Sequence, residues 1–332
     1  MDSAILIDWC AATVRIATPL LFAAIGGLIS ERAGTFAVGV EGMMLAGAFG
    51  GAMAVLMTSN PWFGLSVAAA SGAGVGCAVA IATARFRADQ MVTGLAVNIL
   101  VLGITSFLLR GLFGGRAPVI RLPTLGAWPI PYLSDLPLIG PVLFRQPALV
   151  YGALALTATV SILLARTRTG LVLRAAGDGP DAAFAVGIDP VRVRMTAIVA
   201  GGACAGIGGA VLSLQEVGSF TDGMTNGRGF VALAAIIVGR WRPTGTLFGC
   251  LLFGAVSALE LRVHGWGLPV SSYTIQMLPY LVALTLLAGI GRSSRMPAAI
   301  GNPSCAPDGA APRSHRDGSK EASAALYRSG VL

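Results

Sequence analysis

The sequence predicts an all-α, polytopic membrane-spanning bundle of about eight to ten helices, some of them broken, each near the ~20 apolar residues that cross a bilayer. Three observations predict it. Hydrophobic residues make up 55% of the 332 residues and charged residues only 11%, whereas a soluble domain carries roughly 25% charged residues. Apolar runs of spanning length recur along nearly the whole chain. Glycine is abundant, at 45 residues, and small residues let helices pack closely in lipid, where no hydrophobic force drives helix against helix.

The first span is expected at residues 4–29. It is expected to stay in the membrane, because Met1 to Asp8 carries Asp2 and Asp8 and no basic leader region. Further spans are expected at 40–57, 63–84, 92–113, 148–165, 195–214, 244–261 and 271–290. Residues 230–238 are apolar but too short to cross alone, which fits half of a broken helix. Gly47/Gly51, Gly72/Gly76 and Gly202/Gly206 have small-xxx-small spacing and read as helix-packing contacts. The stretch 114–147 holds seven prolines between Pro118 and Pro147 and reads as an irregular loop. The residues from Gly291 onward are rich in Pro, Ser and Arg and read as disordered. These features divide the chain into a membrane domain, 1–300, and a tail, 301–332.

The formal charge of +8 is almost all arginine, with Lys320 the only lysine. These arginines are scattered between apolar spans rather than clustered, so they set topology and no nucleic-acid partner is expected. Arg166, Arg168, Arg174, Arg192 and Arg194 fall within one short segment, which the positive-inside rule puts in the cytoplasm. Alternation then places the tail on the same side, the proline-rich loop outside, and the protein as a multi-pass component of the cell membrane. The five cysteines form no CxxC pair, and His264 and His315 have no metal-ligand spacing. No metal site and no catalytic residue is expected.

Ionisable groups at membrane depth are costly and therefore functional candidates. Arg15 either lines a cavity or snorkels to the surface. Glu41 lies between Gly39 and Gly42, where glycines favour unwound backbone around a cavity; the alternative is a helix-end carboxylate near the interface. Asn98, in mid-span, either bonds a neighbouring helix or faces a substrate. Gln215, Glu216, Asp222, Asn226 and Arg228 precede the short apolar piece, as polar flanks of broken helices do along transport paths; a plain surface loop also accounts for them. Glu41, Asn98, Glu216 and Arg228 are the candidate substrate-pathway residues.

In the basic segment 166–194, Pro180 suits the first turn of a helix, Asp178 is placed to cap it and Asp181 favours its positive end. A short amphipathic helix over 180–186, outside the bilayer, is expected. Here the sequence, Arg174-Ala-Ala-Gly177-Asp178-Gly-Pro180-Asp-Ala182-Ala183 through Gly187-Ile188, resembles the coupling loop of ABC importer permeases of the branched-chain amino acid and ribose-type family. Three more stretches resemble the simple-sugar and nucleoside subgroup of that family. They are Ile29-Ser-Glu-Arg-Ala-Gly34 through Glu41-Gly-Met-Met-Leu45, Val92-Thr-Gly-Leu-Ala-Val-Asn98-Ile-Leu100, and Gly218-Ser-Phe-Thr221 through Gly227-Arg228-Gly-Phe-Val-Ala-Leu-Ala-Ala235. One departure is Ala37, where the family pattern has Asn beside the pathway.

The resemblance implies a type II-like importer permease whose residues Gly177, Asp178, Pro180, Ala182, Ala183 and Gly187 couple it to an ABC ATPase subunit. It further implies a second permease, more often different than identical, and an external substrate-binding lipoprotein that delivers a nucleoside or simple sugar. The chain has no Gly-x-x-x-x-Gly-Lys-Ser/Thr phosphate loop, so it needs no cofactor of its own and ATP is expected on the partner subunit. A secondary transporter or channel, working without an ATPase, is the alternative. It would carry coupling carboxylates deep within its spans, where this chain has few.

Overall fold

The computed structural model describes residues 3–114, 122–124, 126, 128, 140–265, 277, 281, 282, 284, 285, 289 and 296–301. The expected span at 271–290 and most of the proline-rich loop fall largely outside the described residues. Among the described residues the regular elements are helical, and seven helices are long and apolar enough to cross a membrane. The spanning helices are α1 (Ser3–Arg32), α2 (Val40–Thr58), α3 (Pro61–Ala80), α4 (Gln90–Phe113), α5 (Ala148–Arg166), α8 (Pro190–Ala210) and α10 (Pro243–Gly265). Two short helices, α6 (Arg168–Asp178) and α7 (Pro180–Ala185), follow α5, and α9 (Arg228–Val238) is a half-length apolar helix. At 1.5 Å rise per residue, α9 reaches only about 16 Å, roughly half the hydrocarbon core.

The helix starts are written in the sequence. Asn60 accepts from the amides of Trp62 and Phe63 ahead of α3, with Pro61 in the first turn. Asp89 accepts from Val92 at the start of α4, Thr167 from Gly170 at α6, and Asp189 from Val191 and Arg192 at α8. Each side-chain oxygen satisfies a donor that the first turn leaves unpaired. Helix α8 begins at Pro190, five residues earlier than hydropathy predicts. Arg194 is consequently inside the bundle rather than on a loop: it is 2% exposed, and its Nε donates to the Ala33 carbonyl at 3.3 Å.

The centre of the bundle is α8, packed on α1, α2 and α3. The expected glycine contacts are found here. A Cβ on Gly47 would lie 2.2 Å from the Gly206 carbonyl oxygen, one on Gly72 2.2 Å from that of Gly202, and one on Gly209 1.8 Å from that of Met44. These helices touch backbone to backbone, which dispersion favours and larger side chains forbid. Around this centre α10 packs on α1, and α9 lies between α1, α2 and α10. The face of α4 opposite α2 carries exposed Val92, Leu100 and Phe107, an apolar outer surface.

Two turns of irregular helix continue the spans. Val211–Glu216 extends α8 and Ile81–Arg85 extends α3, both as π-helix, a local widening that recurs at functional sites. Residues 296–301, read from composition as the beginning of a disordered tail, are folded. The Ala299 amide donates to the Gly177 carbonyl at 2.9 Å, the Gly301 amide to Gln90 Oε1 at 3.3 Å, and Ala299 and Ile300 are buried. Backbone hydrogen bonds that composition does not register hold this piece in place.

Candidate translocation and coupling sites

Helix α9 begins inside the bundle, and its first turn lacks a cap of its own. Gly227 occupies the capping position at φ +81°, a conformation that glycine adopts without strain. The orphan amides are met from another helix. Glu41, in the first turn of α2, accepts from the Gly227 amide at 2.9 Å through Oε1 and from the Gly229 amide at 2.6 Å through Oε2. Helix α2 is capped from a third helix in turn. Asn98 of α4 accepts from the Gly42 amide at 2.8 Å, while its Nδ2 donates to the Val38 carbonyl at 3.0 Å. With no water in the bilayer core, such donors must be satisfied within the protein. Gly42 and Gly229 admit these caps. A Cβ on Gly229 would sit 2.6 Å from Glu41 Cα, and one on Gly42 3.0 Å from Asn98 Oδ1.

Glu41 is therefore helical, and the unwound backbone lies before it, at 33–39. Glu41 and Asn98 are brought together on the wall of one cavity of about 340 Å3, which Leu95, Thr225, Asn226 and Phe230 also line. Their polar atoms are already engaged, so they shape this cavity by fixing two helix starts beside it. Ala37 is not on this wall. It is buried in the core, and its amide points to Glu31 Oε1 at 3.4 Å, because the 33–39 segment folds back onto the end of α1.

Glu216 and Arg228 form a second group. Arg228 Nη1 donates to Glu216 Oε2 at 3.2 Å, tying the π-helical end of α8 to the first residue of α9 across the 217–227 loop. Arg15, exposed on α1, acts electrostatically on the same carboxylate. Oε1 of Glu216 and both side-chain polar atoms of Gln215 are buried and have no hydrogen-bond partner among the described residues. Asp222 accepts from Ser106 Oγ and faces Arg110 at 4.0 Å, fastening the loop to α4.

The other end of the molecule holds α6 and α7. Pro180 stands in the first turn of α7 and Asp181 near its start, as expected. Asp178 is not its cap. It ends α6, Gly179 takes the capping position without a side-chain bond, and the Asp178 charge acts on Arg32 instead. Of the other coupling candidates, Gly177 and Ala183 are buried, whereas Ala182 and Gly187 are exposed, Gly187 at φ +86°. A Cβ on Gly177 would meet the Arg32 carbonyl oxygen at 2.2 Å, so Gly177 lets α6 rest on the end of α1. Phe184 and Val186, 53% and 75% exposed, present apolar surface that was not singled out beforehand. Two large apolar residues within a charged segment are the signal that marks them.

The family described as "Branched-chain amino acid transport system / permease component" matches residues 10–288. The chain belongs to this family. The permease is 39% identical to the putative glucose ABC transporter permease protein TsgC13 of Haloferax volcanii, over 76% of each chain. It is 35% identical to the nucleoside ABC transporter permease protein NupC of Lactococcus lactis, over 82% of this chain and 88% of the relative. It is also 35% identical to the guanosine ABC transporter permease protein NupQ of Bacillus subtilis, over 85% and 92%. In each of these organisms a second permease protein matches more distantly, at 27%, 24% and 22% identity. No solved structure matches. The permease is thus a multi-pass membrane subunit of an ABC transport system, which works with an ATPase and a binding protein, and ATP hydrolysis belongs to the separate ATPase subunit.

Proposed function

We propose that the permease imports a nucleoside or simple sugar, released to it by an external binding protein, along a path that passes the cavity at Glu41, Asn98 and Phe230. The observation that carries this reading is the start of α9, which has no cap of its own and is held beside that cavity by a carboxylate from another helix. Ligand sites typically enclose about 300–1,000 Å3, and a cavity of about 340 Å3 suits one small solute. Phe230 offers a flat apolar face and Thr225 and Asn226 offer polar groups, a pairing suited to a ring that carries hydroxyl or amide functions. Glu216, Arg228 and Gln215 form a polar station at the neighbouring end of the broken helix.

The α6–α7 loop faces the cytoplasm in this reading, and Ala182, Phe184 and Val186 enter a cleft of the ATPase, which binds the ATP. Pro180 and Gly187 bound that helix, and Gly177, Asp178 and Ala183 fix it to the bundle. The partner permease is a different chain, as the paired relatives within single organisms support. ATP-driven closure would move α7 and shift the balance between outward-open and inward-open arrangements.

Uptake by proteoliposomes containing the permease, its partner, the ATPase and the binding protein tests the reading. Uphill uptake of a nucleoside or a simple sugar should require all four, and Phe230→Ala should raise KM more than it lowers the maximal rate. Uphill uptake by the permease alone would replace this reading with that of a secondary carrier.

A further inference from the structure

At the α7 end of the molecule a carboxylate is wholly removed from solvent, and none of the roles assigned so far uses it. Glu31, the penultimate residue of α1, is 0% exposed. A buried carboxylate is unfavourable unless hydrogen-bonded, and its bonds are specific. Oε2 accepts from Trp241 Nε1 at 2.6 Å, and the neighbouring residue, Arg32, donates from Nε to the Trp241 carbonyl at 2.8 Å. Two consecutive side chains of α1 therefore grip one residue by its ring and by its backbone. Trp241 is 3% exposed and lies in the turn joining α9 to α10. Arg240 and Trp241 both have positive φ, at 56° and 54°, a conformation that non-glycine residues adopt only when their surroundings impose it.

The opposite side of this knot belongs to the α6–α7 loop. Gly177 meets the Arg32 carbonyl so closely that a Cβ would lie 2.2 Å from it, and Gly34, at φ +89°, lies against Gly177. A continuous run of close contacts thus leads from α7 through Gly177 to Arg32 and Glu31, then through Trp241 to α9, whose far end is the Gly227–Gly229 start held by Glu41. Close-packed backbone contacts deform little and shift as units.

We propose that Glu31 is a positioning residue for transport: by holding Trp241 it passes displacement of the α6–α7 loop to α9 and so to the cavity. The proposal rests on the reading of α7 as the ATPase contact. Spatial succession does not by itself demonstrate coupling, so the test measures coupling directly, as solute transported per ATP hydrolysed by the complete transporter in proteoliposomes.

Trp241→Phe removes the ring N–H together with the five-membered ring that carries it, and keeps an aromatic ring in the buried site. It should leave assembly and ATP hydrolysis within about twofold of wild type while solute per ATP falls about tenfold, the scale of one charge-assisted hydrogen bond. Glu31→Leu should do the same, the double variant should be no worse than either single one, and Glu31→Gln, which keeps an acceptor oxygen for Trp241 but gives up the longer 3.4 Å contact from the Ala37 amide, should restore part of the coupling that Glu31→Leu loses. Phe184→Asp serves as the separate check on docking, where ATPase association itself should be lost. An ATPase that still associates with Phe184→Asp overturns the docking reading, whatever happens at Trp241. An unchanged solute-to-ATP ratio in Trp241→Phe overturns the role of Glu31, as do losses that multiply in the double variant or a parallel fall of assembly, hydrolysis and uptake. Should Glu31→Leu fail to assemble, Trp241→Phe and Glu31→Gln decide the matter on the same ratio.

Discussion

Replacing Glu41 by glutamine isolates the cross-helix cap from the volume of the side chain. In the native protein two backbone amides converge on one carboxylate, at 2.9 Å from Gly227 and 2.6 Å from Gly229. Glutamine presents one acceptor oxygen and one NH2 group in the same places. The first amide keeps a neutral hydrogen bond in place of a charge-assisted one, and the second faces another donor. Bonds to charged groups contribute about 1.5–3 kcal/mol against about 1 kcal/mol for neutral ones. The two changes together come to about 3 kcal/mol, reduced to about 2 kcal/mol where water from the adjoining cavity reaches the unmet amide. A bias of that size against the native position of α9 corresponds to more than a tenfold shift. Uptake should therefore fall at least about tenfold, with membrane insertion unchanged and the melting temperature of the detergent-solubilised protein lowered by several degrees. Glu41→Asp, shorter by one methylene but still acceptor-only, should fall between the two. Initial-rate uptake in proteoliposomes and thermal unfolding, measured on the same preparations, check this. Wild-type uptake and melting in Glu41→Gln would refute the assignment of Glu41 as the cap of α9.

Other expectations follow from the same contacts. Asn98→Leu removes the cap of α2 and leaves the Gly42 amide and Val38 carbonyl unmet, so it should cost about 1–3 kcal/mol and lower uptake, read by the same two assays. Gly206→Ala places a Cβ 2.3 Å from the Ala68 carbonyl oxygen and should destabilise by about 1–3 kcal/mol through overpacking. Gly74→Ala, on α3 with nothing within 4 Å, should instead be neutral or stabilise by about 0.5–1 kcal/mol; thermal melting of the pair separates close packing from any general effect of adding methyl groups. Deleting residues 303–332 should leave expression and melting unchanged. Deleting 296–332 removes the Ala299 and Gly301 hydrogen bonds and should lower both.

Much of the fold was legible in the sequence. Bilayer thickness sets the length of an apolar run, so α1 to α5 and α10 begin and end close to where hydropathy places them. Local chemistry sets the start of a helix, as at Asn60 and Asp89, and the short α9 announces itself by its length. The small-residue spacing of Gly47, Gly72 and Gly206 also predicts contact, because few other roles in lipid require the loss of a side chain. The resemblance of four ordered stretches identified the permease family, which the match over residues 10–288 shows.

That Asn98 bonds a neighbouring helix was one of the two roles its position allows, but the partners of individual polar residues were not legible, because each lies far away in sequence. Glu41 and Gly229 are joined across 188 positions, and Glu31 and Trp241 across 210. Asp178 had the right spacing to cap α7 yet ends α6, since helix continuation through the preceding residues prevailed over a local capping preference. Hydropathy likewise located the span that became α8, but only the packing of α1 against it determined that Arg194 lies inside. Sequence determined which segments leave water, because the free energy of transfer is nearly a sum over residues. Tertiary structure alone decided which buried donor meets which acceptor, because that depends on distances between segments that no local property encodes.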